Sequence, residues 1–171
     1  GYPALGSIFY AALPRHPFLI PNLLAFVGIV VALARLFRRA LSAAESWLLV
    51  GLCLASPLVM EHLLIPWNTT PTQACTYAIV LLLVARRPGR REICWAALWA
   101  GGIALLRPGD TLFVAPLFAA ALLARGAPER WFGDAVRALA IVSSAIGLML
   151  LANKAVFGVF WTTAYVKTVE S

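Results

Sequence analysis

The chain is short of charge, of acid and of lysine, and each shortage excludes something. Only 12% of its 171 residues are Asp, Glu, Lys or Arg, whereas 62% are hydrophobic. A soluble domain of this size cannot cover its surface with so little polar material, so lipid is the expected solvent. Lysine occurs only as Lys154 and Lys167, so the formal charge of +7 is almost entirely arginine, a bias that points to a G+C-rich bacterial genome. Cys53, Cys75 and Cys94 lie in separate apolar stretches without paired spacing. That spacing supports neither a disulfide framework nor a zinc site, and the three read as core packing. No phosphate-cradling glycine loop, nucleophile triad, metal-ligand cluster or nucleotide fingerprint is present, and no cofactor is indicated.

Six apolar stretches alternate with short polar turns, and ten of the fourteen basic residues fall in three of those turns. Arg35, Arg38 and Arg39 follow the first stretch, Arg86, Arg87, Arg90 and Arg91 the third, and Arg125, Arg130 and Arg137 the fifth. By the positive-inside rule every second turn is cytoplasmic. The positive surplus orients the chain and meets anionic headgroups there, which leaves no case for nucleic acid. The expected fold is therefore all-α, a polytopic transmembrane bundle forming one domain over residues 1–171. Its spans are expected at about 18–37, 46–65, 73–85, 93–106, 111–124 and 138–157, with both termini outside. Trp67 and Trp161 fall near outer ends and Trp47, Trp95 and Trp131 near inner ends, as aromatic belts require.

Residues 1–17 form an outer interfacial segment. Leu5, Ile8, Phe9, Ala12 and Leu13 share one helical face, and Pro14 and Pro17 then break the helix before the first span. A frayed end of a spanning helix is the alternative. Residues 158–171 form an outer tail. The chain opens at Gly1 without a signal peptide although its first residues need to be outside, so at least one span is expected upstream.

Chemistry gathers at the outer rim. Fourteen residues separate Glu92 from Arg107, which gives a helix of about 21 Å against a hydrocarbon core of about 30 Å and sinks Arg107 below the outer surface. Pro108 keeps Arg107 out of helical geometry and Gly109 permits a tight turn, so Arg107 and Asp110 can face one cavity. A guanidinium at that depth suits a lipid phosphate, because it stays charged and donates in a planar fork. The competing reading is an ion pair that satisfies the turn. Glu61 and His62 end the second span on the same side; a carboxylate beside an imidazole offers acid or base assistance, or ligands to a divalent cation. Neighbouring residues on a helix diverge, however, so two unconnected polar residues explain them as well. Gln73 and Thr76 line the same cavity or bond across helices. Asn68, Thr69 and Thr70 match a glycosylation acceptor pattern. Ser143, Ser144 and Gly147 read as a close helix contact.

Three patches carry a family resemblance. Gly1, Tyr2 and Pro3 with the aromatic segment behind them, Leu105 to Asp110, and Phe157 and Gly158 followed by Thr162, Thr163, Tyr165 and Lys167 resemble, in order and spacing, polytopic glycosyltransferases of the C superfamily. Two departures stand out: the acidic residue and the glycine after Pro108 are reversed, and Val159 and Phe160 replace a Ser-Pro pair. The resemblance implies sugar transfer from a polyprenyl-phosphate donor to an acceptor at the outer face of a bacterial plasma membrane. It also implies that the catalytic carboxylate precedes Gly1. A transporter or flippase and a non-catalytic assembly subunit are the other classes, although neither repeats nor midplane polar residues favour transport.

The charge pattern predicts that cysteines introduced at Arg38, Arg90 and Arg130 label only from the cytoplasm, and those at Trp67, Arg107 and Trp161 only from outside. External labelling at position 90 would reverse the topology.

Overall fold

The computed structural model describes residues 8–10, 13–56, 69–84, 88–125, 128–158 and 160. Every regular element among them is helical, in agreement with the all-α expectation. In chain order these are α1 (Leu19–Phe37), α2 (Ala43–Leu54), α3 (Thr69–Leu83), α4 (Arg90–Leu106), a 3-10 turn (Pro108–Asp110), α5 (Thr111–Leu123) and α6 (Pro128–Phe157).

The helix α4 lies at the centre, against α3, α5 and α6, while α1 packs on α3 and α2 on α1. Its buried face is nearly free of bulk: Ala96, Ala97, Ala100, Gly101 and Ala104 are buried, with Ile93 and Ile103 at its two ends. Small residues let helix backbones approach closely enough for dispersion contacts along their length. The closest approach is at Gly101, where an added Cβ would lie 3.0 Å from the Ala145 Cβ of α6. On the other side, a Cβ at Gly102 would sit 3.5 Å from the Cys75 Sγ of α3. Arg90 meets Asp134 and Gly101 meets Ala145 at the same sequence offset, so α4 and α6 run parallel.

Ser143 and Ser144 are exposed and Gly147 has open space beside it, so the helix contact expected there is made by Gly101 and Ala145 instead. Cys75 is buried and Cys94 half-buried, but Cys53 is exposed on α2, which corrects its assignment to a core.

Local signals account for the shifted helix starts. Ser42 and Glu45 form a capping box: the Glu45 N–H donates to Ser42 Oγ, and the Ser42 N–H donates to Glu45 Oε2 at 2.9 Å. The Ser42 hydroxyl, donating to Glu45 Oε2 at 2.6 Å, and then the Ser42 N–H hold the Glu45 carboxyl below its ordinary range, and α2 starts three residues before the expected 46 because two orphan N-terminal groups are satisfied there. The helix α3 starts at Thr69 rather than 73, with Pro71 in its first turn, where a missing N–H costs nothing. Gly89 precedes α4, which begins at Arg90 rather than 93, and Pro128 opens α6 ten residues before the expected 138. The interfacial segment is described only in part: residues 8–10 are helical, and a turn at Pro14 and Arg15 breaks the chain before α1.

Six spans were expected. Among the described residues, two helical windows are long and apolar enough to cross a membrane: Leu19–Phe37 and Trp131–Ala155, with mean hydropathies of 2.2 and 2.1. The helices α2, α3, α4 and α5 have 12, 15, 17 and 13 residues, below the roughly 20 that a hydrocarbon core requires. Residues 57–65, expected to complete the second span, lie outside the described residues. Only 6% of the Trp131–Ala155 window is buried, the opposite of the core helix of a soluble domain.

Gly101→Ala should destabilise the bundle by roughly 1–3 kcal/mol through overpacking against Ala145. Ala145→Gly in the same chain should restore most of the loss, as read by unfolding of the helices in mixed micelles. Additive losses would show that the two helices do not touch there.

Candidate functional site

Pro108 and Gly109 act as the sequence predicts. Arg107 leaves helical geometry at φ −146° and ψ 87°, and its N–H still donates to the Ile103 carbonyl at 2.7 Å. The 3-10 turn then reverses the chain, with the Asp110 N–H donating to the Arg107 carbonyl at 3.0 Å. This brings the two side chains together: Arg107 Nε lies 3.3 Å from Asp110 Oδ2, at 41% and 28% exposure. An ion pair this accessible contributes about 0–1 kcal/mol, so it holds the turn only lightly. With α4 starting at Arg90, its 17 residues span about 25 Å. The shortfall that sinks Arg107 is therefore about half of that expected.

Beyond the turn, an apolar groove of about 220 Å³ runs between α5 and α6 over Ala100. Thr111, Val114, Ala115, Phe118 and Leu122 line its α5 side at helical spacing. At 1.5 Å per residue these positions extend over about 16 Å. Thr111 Oγ1 is buried with no hydrogen-bond partner among the described residues. An unsatisfied buried hydroxyl costs about 1–3 kcal/mol. Thr111 thus sets an orphan donor at one end of the groove, and the turn just before it in the chain carries a cation and an acceptor, a combination that suits an amphiphile with a phosphate head.

The other predicted residues divide. Gln73 is half-buried in the second turn of α3, and no hydrogen bond joins it to Arg107 or Asp110. The Thr76 hydroxyl donates to the Thr72 carbonyl of its own helix at 3.0 Å, so it bonds along α3 rather than across to a neighbour. Glu61 and His62 lie outside the described residues, as do Trp67 and Trp161. No three His, Cys, Asp or Glu side chains gather to hold a metal among the described residues.

A second polar centre, missed in the sequence, lies at the opposite end of α4. Asp134 of α6 has a side chain only 6% exposed and collects three guanidinium groups. Arg137 Nη1 donates to Oδ1 at 2.9 Å, Arg125 Nη1 donates to Oδ2, and Arg90 Nε lies 4.0 Å from Oδ1. Arg39 donates to the Leu81 carbonyl at 2.7 Å, which brings the turn after α1 to the C-terminal end of α3, the same end of the bundle. Buried Asn22 and Thr72 in the first turns of α1 and α3 were also passed over, and Thr70, read as part of a glycosylation pattern, is buried in the first turn of α3. No protein-family model matches the chain, and no curated protein or solved structure is similar to it.

Asp134→Ala should destabilise the fold by about 3 kcal/mol, because Arg125 at 20% exposure loses its counter-charge. Asp110→Ala, with both partners more accessible, should cost less than about 1 kcal/mol. Thermal unfolding of the two variants in detergent compares them, and equal losses would show that the Asp134 cluster is no better shielded than the turn.

Proposed function

We propose that the chain is the donor-binding part of a multi-pass membrane glycosyltransferase that takes sugar from a polyprenyl phosphate on the outer face of a bacterial plasma membrane. The observation that carries this reading is Arg107 held outside helical geometry four residues before Thr111, which lines the apolar groove. A polyprenyl phosphate needs both halves of that arrangement: an apolar channel reached sideways from the bilayer, and a cation at headgroup depth. The arginine-rich end is cytoplasmic in this reading, which places Arg107 outside.

Lipid as the solvent is supported by the bundle's outer surface, where Leu112, Phe113, Leu139, Leu148 and Leu151 are each more than 60% exposed. The short helices α2 to α5 cross in this reading with local bilayer thinning, sheltered in part by α1 and α6. Arg107 and Thr111 stabilise the charge that develops on the departing phosphate, an oxyanion held by donors already in place. In this reading the chain holds and orients the donor. The outer clustering of Arg107, Asp110 and Thr111 favours this reading over a transporter, whose polar sites meet near the midplane.

In the full-length protein, Arg107→Ala should weaken donor binding by roughly tenfold to a hundredfold, the loss of a charge-assisted contact of about 1.5–3 kcal/mol. Arg107→Lys should recover only part of this, because an ammonium keeps the charge without the fork. Donor titrations on variants with intact helical content measure both, and wild-type affinity in Arg107→Ala would move the phosphate site elsewhere.

A further inference from the structure

We infer that the Asp134 cluster is a binding site for an anionic phospholipid of the leaflet opposite to Arg107. Three arginines from separate parts of the chain, the first turn of α4, the turn after α5 and the third turn of α6, converge on one carboxylate. One negative charge against three positive leaves a surplus of two. The Asp134 side chain is 6% exposed and both of its oxygens are engaged, so it holds the guanidinium groups in place and cannot neutralise them.

The two outer arginines point to the ligand. Arg90 is 65% exposed and approaches Asp134 through Nε at 4.0 Å, so this contact does not use its two terminal nitrogens. Arg137 is 47% exposed and binds Asp134 through Nη1 alone. One guanidinium fork held by a hydrogen bond to a buried carboxylate, with a second drawn to the same oxygen from solvent, matches a phosphodiester, which accepts in the same plane. From Arg137 the exposed stripe of α6 continues through Ala140, Ser144, Leu148 and Leu151, an apolar track for an acyl chain along the same helix. Exposed Trp95, in the second turn of α4, sits where an aromatic side chain meets headgroups. A basic pocket between helices with an apolar track beside it is the form that anionic headgroup sites take. The site is independent of the donor reading, because it lies at the other end of the bundle.

The test uses the delipidated full-length protein in nonionic detergent, with dioleoyl phosphatidylglycerol and dioleoyl phosphatidylcholine as probes and native mass spectrometry as the readout. Wild type should favour phosphatidylglycerol, and Arg90→Gln with Arg137→Gln should weaken that lipid about tenfold while leaving phosphatidylcholine unchanged. Arg38→Gln with Arg91→Gln removes equal charge outside the cluster and should change neither. Arg90→Lys with Arg137→Lys, which keeps the charge, should lie between wild type and the glutamine pair; it carries the test if the glutamine pair does not fold. Three results would overturn the site: an unchanged lipid preference in both cluster variants, an equal loss in the Arg38 and Arg91 control, or displacement of the lipid by millimolar inorganic phosphate.

Discussion

Everything else in the bundle hangs on how closely α4 can be approached. Its buried face carries Ala96, Ala97, Ala100, Gly101 and Ala104, so α3 and α6 contact it near the backbone rather than through long side chains. In lipid, where no hydrophobic gain drives one apolar helix onto another, such close contact is what holds helices together. The same closeness fixes the axial register of α6 on α4, because Gly101 and Ala145 admit little sliding. Once that register is set, Asp134 falls level with Arg90. At the far end, α4 closes with Arg107 and the turn that begins α5.

The two charged centres differ in kind because their burial differs. Asp134 is nearly inaccessible and has Arg125 close to it under cover, so its charge cannot be left unpaired without a cost of several kcal/mol. The pairing of Arg107 with Asp110 is open to water and worth little. One centre is therefore a fixture of the fold and the other an adjustable group. A buried carboxylate can also serve recognition indirectly, by holding Arg137 through a hydrogen bond and drawing Arg90 toward the same oxygen, with the outer faces of both accessible.

The legible parts of the structure were those written in neighbouring residues. Arg107, Pro108, Gly109 and Asp110 contain their own turn, since the proline restricts its own backbone and that of Arg107 whatever packs around it, and the glycine opposes no turn. The first helix and the end of the last at Phe157 followed from hydropathy alone. The helix starts were misplaced because polar residues such as Arg90, Arg91 and Glu92 were assigned to turns, although a helix N-terminus accepts them readily. The Ser42 and Glu45 capping box was a signal in plain view. Asp134 was illegible for a different reason. Arg90 and Arg125 stand 44 and 9 residues away from it, and only the parallel packing of α4 and α6 brings Arg90 to it. Hydropathy could not place the lateral contacts either, as Ser143, Ser144 and Gly147 show.

The Arg107 to Asp110 contact first looks like an argument against a phosphate site, since the guanidinium already has a partner. Magnitudes decide otherwise. A pair at this exposure contributes at most about 1 kcal/mol, whereas hydrogen bonds to a charged phosphate contribute about 1.5–3 kcal/mol. Asp110 approaches Arg107 on the Nε side, so a phosphate can displace it or engage the terminal nitrogens beside it. Asp110 keeps the guanidinium near the turn, which in the proposed reading lowers the ordering cost of binding a phosphate. Thr111, one residue on, carries a buried hydroxyl without a hydrogen-bond partner among the described residues. An ion pair that is weak, local and next to an orphan donor leaves the guanidinium free to serve the phosphate site proposed above.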